Sequence, residues 1–151
     1  MITLVEYFGP YINHPDKTDQ VWDNAKELLE RCNTVYELAE ADGCYLLINP
    51  KTNSGVSGKT EGGFRTQDST TGATNSAHKT GKAVDRYDPA RQFASWCMAN
   101  LDILKYHILW MEDPRWTPGW VHLQSIPPRS GNRVFIPSNT KPMVDWPEKW
   151  D

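Results

Sequence analysis

The sequence predicts an α+β domain: a small, mostly antiparallel sheet with two main helices packed on it. Three observations predict this. A long segment near the N-terminus carries apolar residues at helical spacing, and a second such segment lies in the middle of the chain. The last third is built of short apolar runs separated by proline and glycine turns. The 151 residues fit one domain, residues 1–151, large enough to bury a core without disulfides.

The first helix is expected in "DQVWDNAKELLERCNTVYELAEADG". Val21, Trp22, Ala25, Leu28, Leu29, Cys32, Val35, Tyr36 and Ala39 recur on one face. Thr18 or Asp19 supplies the N-cap, and Gly43 suits the C-terminal turn. "CYLLI" then reads as a short buried strand ended by Asn49-Pro50. From Lys51 to Ala77 the chain is polar and rich in Gly, Ser and Thr, too long for a plain connector, so a functional or flexible loop is expected. "KAVDRY" reads as a strand. "DPARQFASWCMANLDILK" reads as the second helix, with Asp88 as N-cap, Pro89 at the first helical position, and Phe93, Trp96, Cys97, Leu101 and Leu104 as its apolar stripe. "YHILWM", "WVHLQS" and "RVFIP" read as strands, and the tail from Ser138 to Asp151 is expected to wrap over the surface.

Composition narrows the function. A formal net charge of -3 argues against nucleic acid, whose binders show a clustered basic surface, and nothing suggests a membrane-surface protein. Cys32, Cys44 and Cys97 are odd in number and lack CxxC spacing, which argues against a disulfide framework and a cysteine zinc site; core packing in a reducing cytosol fits them. "MITLVEYFGPY" has no basic region and no long apolar run, so neither a signal peptide nor a membrane span is expected. An extracellular target would then be reached without the ordinary export signal.

Of the four histidines, His14 in "NHPD" reads as a surface residue and His107 in "YHILWM" can face either way. His78 has a loop-like setting, between small residues and Gly81. Asp85 follows the apolar pair Ala83-Val84, where a carboxylate is costly unless paired, hydrogen-bonded or bound to metal. In "GWVHLQ" strand alternation puts Trp120, His122 and Gln124 on one face, with Val121 and Leu123 on the core face. Two histidines and one carboxylate make a catalytic zinc set with a fourth position for water. On composition alone, solvated loop residues are the competing explanation.

The stretch "SAHKTGKAVD" is similar to the SxHxxGxAxD signature of zinc D-alanyl-D-alanine peptidases. Related L-alanyl-D-glutamate peptidases share that signature, and Hedgehog signalling domains share the fold. Ser76, His78, Gly81, Ala83 and Asp85 match it, and "WVH" matches the context of the family's last zinc histidine. The resemblance covers roughly residues 62–124. It implies a Hedgehog-like fold, Zn2+ held by His78, Asp85 and His122, a catalytic Arg65 in "GGFR" that binds substrate and stabilises the transition state, and substrate binding by Ser76. Gln124, on the open face beside His122, is a further candidate to line the cleft. Trp116 and Trp120 are candidates for its walls or for the core.

One departure matters. Many members place a catalytic glutamate three residues before the last histidine, and here that residue is Gly119. A hairpin joining "HILWMED" to "GWVHLQ" would instead bring Glu112 beside His122. Glu112 is preferred over Asp113 for its longer reach. The expectation is a monomeric zinc peptidase acting on peptidoglycan stem peptides. It would be made in a host cytoplasm and act at the bacterial wall, as a phage endolysin or a virion-associated lytic protein. The alternative is a non-catalytic zinc-binding structural or wall-binding module of the same fold.

Overall fold

The structure is a computed structural model and describes residues 1–137. The fold is α+β, with four α-helices and one four-stranded mixed sheet among the described residues. Helix α1 (Leu4–Phe8) opens with a capping box, in which Thr3 accepts from the Glu6 amide and Glu6 accepts from the Thr3 amide. The 23-residue α2 (Asp19–Ala41) starts at Thr18, whose hydroxyl accepts from the Val21 amide. Its expected apolar face is buried apart from Trp22, which is half-buried and stacks on Phe8. Among the described residues no helix is long and apolar enough to cross a membrane.

Strands β1 (Ala83–Tyr87), β2 (Trp110–Glu112), β3 (Trp120–Gln124) and β4 (Val134–Phe135) form the sheet in the order β1-β3-β2-β4. Both pairings of β3 are antiparallel, whereas β4 runs parallel to β2. Alternation divides the side chains between two faces. Val84, Met111, Val121 and Leu123 join the core beneath α2. Asp85, Glu112 and His122 take the opposite face.

Helix α3 (Gln92–Ala99) and helix α4 (Leu101–Tyr106) replace the single second helix predicted over 88–105. The helix breaks at Asn100. The N-cap is Arg91 in a left-handed conformation, not Asp88. Asp88 still works as a cap from a distance: its carboxylate oxygens accept from the Phe93 and Ala94 amides at 3.1 and 2.9 Å. In "YHILWM" only the last two residues enter a strand. Tyr106 ends α4, and His107 caps it and lies in a turn. Ile108 takes a positive φ of 56°, which reverses the chain into β2.

"CYLLI" is not a buried strand. Among the described residues no ladder runs beside it, and Tyr45 and Ile48 are 73% and 55% exposed. It is a strap without regular structure, held where Leu47 O accepts from Arg86 Nη2 at 3.0 Å. The expected surface course of the tail falls on residues 138–151, outside the described residues. Cys32 and Cys97 are buried and Cys44 half-buried, all as free thiols, in line with core packing. His14 is half-exposed, its Nδ1 accepting from the Asp16 amide.

The polar segment after "CYLLI" is an ordered wall on the free edge of β1. The Tyr87 amide donates to Gly55 O, the Ser57 amide to Asp85 O, and the Asp85 amide to Gly62 O, at 2.7–2.8 Å. The buried Asn49 side chain ties the same wall, donating to Val56 O and Gly58 O. Covering a sheet edge this way satisfies backbone groups that would otherwise be open.

A 3-10 turn, Ala77–Thr80, leads into β1 and packs on α2 through Asn24, whose amide donates to Thr80 O. Gly81 closes the turn at φ +76°, and a Cβ there would stand 2.5 Å from Val21 O of α2. Strain and clash combine, so Gly81→Ala should cost about 2 kcal/mol or more. Gly131→Ala tests the strain alone, since Gly131 has φ +75° and open space around it; about 1 kcal/mol is expected. Urea unfolding of the two variants checks the difference, and equal losses would remove the clash as a cause.

Candidate metal centre

The β1–β3 register pairs Asp85 with His122. The backbone N–H and C=O of Asp85 point away from β3, to Gly62 and Ser57. The pair is therefore of the non-hydrogen-bonded kind, which brings facing side chains closest. The 3-10 turn delivers His78 to the same point. Ser76 caps this turn, its hydroxyl accepting from the His78 amide at 3.3 Å.

Three ligand atoms converge. His78 Nε2 lies 3.3 Å from His122 Nδ1 and 3.3 Å from Asp85 Oδ1, and His122 Nδ1 lies 3.0 Å from Asp85 Oδ1. An ion at roughly 2.0–2.2 Å from each atom, with tetrahedral angles, would space its ligands by about 3.3–3.6 Å. The residues are only 1%, 7% and 8% exposed for His78, Asp85 and His122 respectively.

The surroundings fix which ring nitrogens carry protons. His78 Nδ1 donates to Gly63 O at 2.7 Å, leaving the Nε2 lone pair facing the cluster. Gln124 Nε2 donates to Ile126 O at 2.7 Å, so Gln124 presents its Oε1, and His122 Nε2 donates to that oxygen at 2.8 Å. The Nδ1 lone pair of His122 therefore also faces inward. With both rings neutral, two imidazoles and a carboxylate aim acceptors at one point, and either a metal ion there or a proton on His122 Nδ1, donated to Asp85 Oδ1 at 3.0 Å, relieves them. The cluster can hold a metal ion.

The electrostatics describe the cluster with a proton in the central place. Burial disfavours the Asp85 carboxylate, but the two imidazoles outweigh burial and hold its pKa well below the ordinary range. Burial lowers the His78 pKa against the pull of Asp85. At His122 burial also works against the charged ring, yet the hydrogen bond and charge of Asp85 prevail and the pKa is raised.

Glu112 falls in the same transverse row. The β2–β3 register pairs Met111 with Leu123, and one step further sets Glu112 across from His122. Burial raises its pKa; the His122 ring opposes that shift and Asp85 adds to it. Asp113 is already engaged, accepting from the Arg115 amide, Nε and Nη2. At position 119 the chain turns with φ +93°, a backbone that glycine adopts freely and a glutamate does not.

Arg65 reaches the cluster from behind. Its Nη2 donates to Asp85 Oδ2 at 3.2 Å, Nε to Glu61 O at 2.8 Å, and Nη1 to Thr71 O at 3.3 Å. Three of its five N–H donors are thus engaged within the protein. A cleft of about 490 Å³ opens beside Asp85, with Trp120 and the turn from Ser57 to Gly62 among its walls. Of the residues expected to contact substrate, Arg65 and Trp120 line this cleft, while Ser76 and Gln124 stand behind the two histidines and position them. Trp116 is buried in the β2–β3 connection.

The sequence reading did not reach Gly63, whose carbonyl orients His78. Its signal was the glycine doublet. A Cβ on Gly62 would stand 2.1 Å from Ser57 O, and one on Gly63 2.0 Å from Tyr7 O, so both are sites of close backbone approach. No family model, curated protein or solved structure matches the chain.

Two measurements test the centre. Gln124→Leu removes the acceptor that sets the His122 tautomer, so metal affinity should fall roughly 10- to 100-fold with the fold retained; competition with a chromophoric chelator reads this, and unchanged affinity would detach Gln124 from the site. Removing the metal should lower Tm, since an ion at 100 times its Kd stabilises the native state by about 2.7 kcal/mol; identical melting with and without chelator would contradict a bound ion.

Proposed function

We propose that the protein is a zinc-dependent peptidase acting on the stem peptides of bacterial peptidoglycan, with D-Ala-D-Ala or L-Ala-D-Glu as the bond cleaved. The observation that carries the proposal is the transverse row Asp85, His122, Glu112, with His78 completing a set of three inward-facing acceptors. A His2Asp set with an open cleft beside it fits catalytic zinc, and the similarity of "SAHKTGKAVD" and "WVH" to the peptidase signature supports the substrate class. Such a role suits a phage endolysin or a virion-associated lytic protein, made in the host and acting at its wall.

His78, Asp85 and His122 would hold the ion, which when bound supplies a Lewis acid for the scissile carbonyl and acidifies water. Glu112 accepts a proton from the attacking water and returns it to the leaving amine. Burial has already moved its pKa toward the working range of a general base. Arg65 keeps Asp85 aimed, since its guanidinium holds Oδ2 and leaves Oδ1 to the centre.

Gly119 favours a second reading, a zinc-holding wall-binding module without hydrolysis, because the usual glutamate position carries no carboxylate. The two readings separate on purified peptidoglycan. The zinc-loaded wild type should release new amino groups, and Glu112→Gln should lower kcat roughly 10²- to 10⁴-fold while elemental analysis still finds about one zinc per chain. Equal rates for both proteins would take the proton transfer away from Glu112. A zinc-loaded wild type inert on several walls would favour the binding module.

A further inference from the structure

The cleft beside Asp85 carries four charged side chains, and three are already engaged. Asp85 and Arg65 pair with each other at 3.2 Å. Glu61 Oε2 accepts from Ser69 Oγ at 3.0 Å. Among the described residues lining the cleft, Lys59 is the cation with no ion pair and no hydrogen bond. It is exposed, at the tip of the turn that runs from Ser57 to Gly62.

We propose that Lys59 receives a carboxylate of the substrate, so that the ligand this cleft takes is an acidic peptide. The inference deepens the peptidase reading and rests on the same site. It also adds a second cation to the one the sequence suggested for substrate, because Arg65 has three of its five N–H groups on acceptors of the protein itself and is ion-paired with Asp85, whereas Lys59 has neither kind of partner. The lining charges of the cleft cancel without an ion and leave it positive with a divalent one. A carboxylate entering such a cleft is drawn to the cation that has nothing else to bind.

The mounting of Lys59 supports the role. Its turn is stapled to β1 on both sides, by Ser57 N to Asp85 O and by Asp85 N to Gly62 O. The buried Asn49 amide holds Val56 O and Gly58 O directly before it. The Lys59 backbone is therefore fixed relative to Asp85, while its side chain stays free to reach into the cleft. A lysine on a fixed turn acts as a point charge at a set distance from the reacting centre.

The test uses three synthetic pentapeptides, L-Ala-D-Glu-L-Lys-D-Ala-D-Ala with all carboxylates free, its C-terminal amide, and its form with the glutamyl carboxylate amidated. Kd is measured by calorimetry on zinc-loaded Glu112→Gln protein, and KM and kcat on protein with Glu112 intact, each with Lys59, Lys59→Met or Lys59→Arg. One of the two amides should bind Lys59 protein about 5-fold more weakly than the acid, which identifies the carboxylate. Lys59→Met should erase that difference through KM with kcat little changed, Lys59→Arg should keep it, and added salt should shrink it. Absence of any preference for the acid, absence of peptide binding, or an acid-to-amide ratio that survives Lys59→Met would overturn the proposal. Hydrolysis without a Lys59-dependent preference would sink the lysine and spare the peptidase. A Lys59-dependent preference in Kd without hydrolysis would do the reverse.

Discussion

Three acceptors pointed at one another are the constraint around which this protein is built. His78 Nε2, Asp85 Oδ1 and His122 Nδ1 sit within 3.3 Å of each other, and the outward ring nitrogens of both histidines donate to the protein. With both rings neutral such a cluster is repulsive, so the chain must hold it. It does so with groups of little individual weight: the carbonyl of Gly63, the amide of Gln124, the guanidinium of Arg65 and the hydroxyl of Ser76. Each belongs to an element fixed for other reasons. Gly63 is pressed against Tyr7, Gln124 ends β3, and the turn bearing His78 leans on α2. Core packing and the polar centre thus share their supports.

The four residues of "GGFR" show how closely the two are joined. Gly62 O receives the Asp85 amide, Gly63 O receives His78 Nδ1, Phe64 packs in the core against Phe8, and Arg65 holds Asp85 Oδ2. Backbone and side chain alternate between building the wall and aiming the ligands. A segment that reads as loop by composition is therefore as constrained as a strand.

How far the sequence could be read follows from where each signal resides. His78 and Asp85 were legible because a turn and the strand after it carry both within a few residues, and His122 because alternation in "GWVHLQ" divides the faces cleanly. Glu112 was reachable through the hairpin argument, although "YHILWM" yields a much shorter strand than its apolar run suggests. Gly63 and Gln124 were not legible as orienting groups: a carbonyl leaves no mark in a sequence, and a glutamine on an open strand face looks the same whether it meets substrate or a histidine. The strap at "CYLLI" misled because an apolar run reports a wish for burial without reporting whether a neighbour exists to pair with it. The break at Asn100 was hidden because Leu101 and Leu104 continue the helical spacing across it.

The placement of Glu112 on β2, apart from the turn and strands that carry the metal ligands, has an evolutionary consequence. On the proposed reading, ion holding and proton handling fall on separate pieces of the sheet. Among the described residues no hydrogen bond joins Gly63, Gln124 or Arg65 to the carboxylate at 112, so a single codon change there would leave the supports of the three acceptors in place. On that reading the same architecture could drift between cutting and merely holding a ligand without passing through an unfolded ancestor.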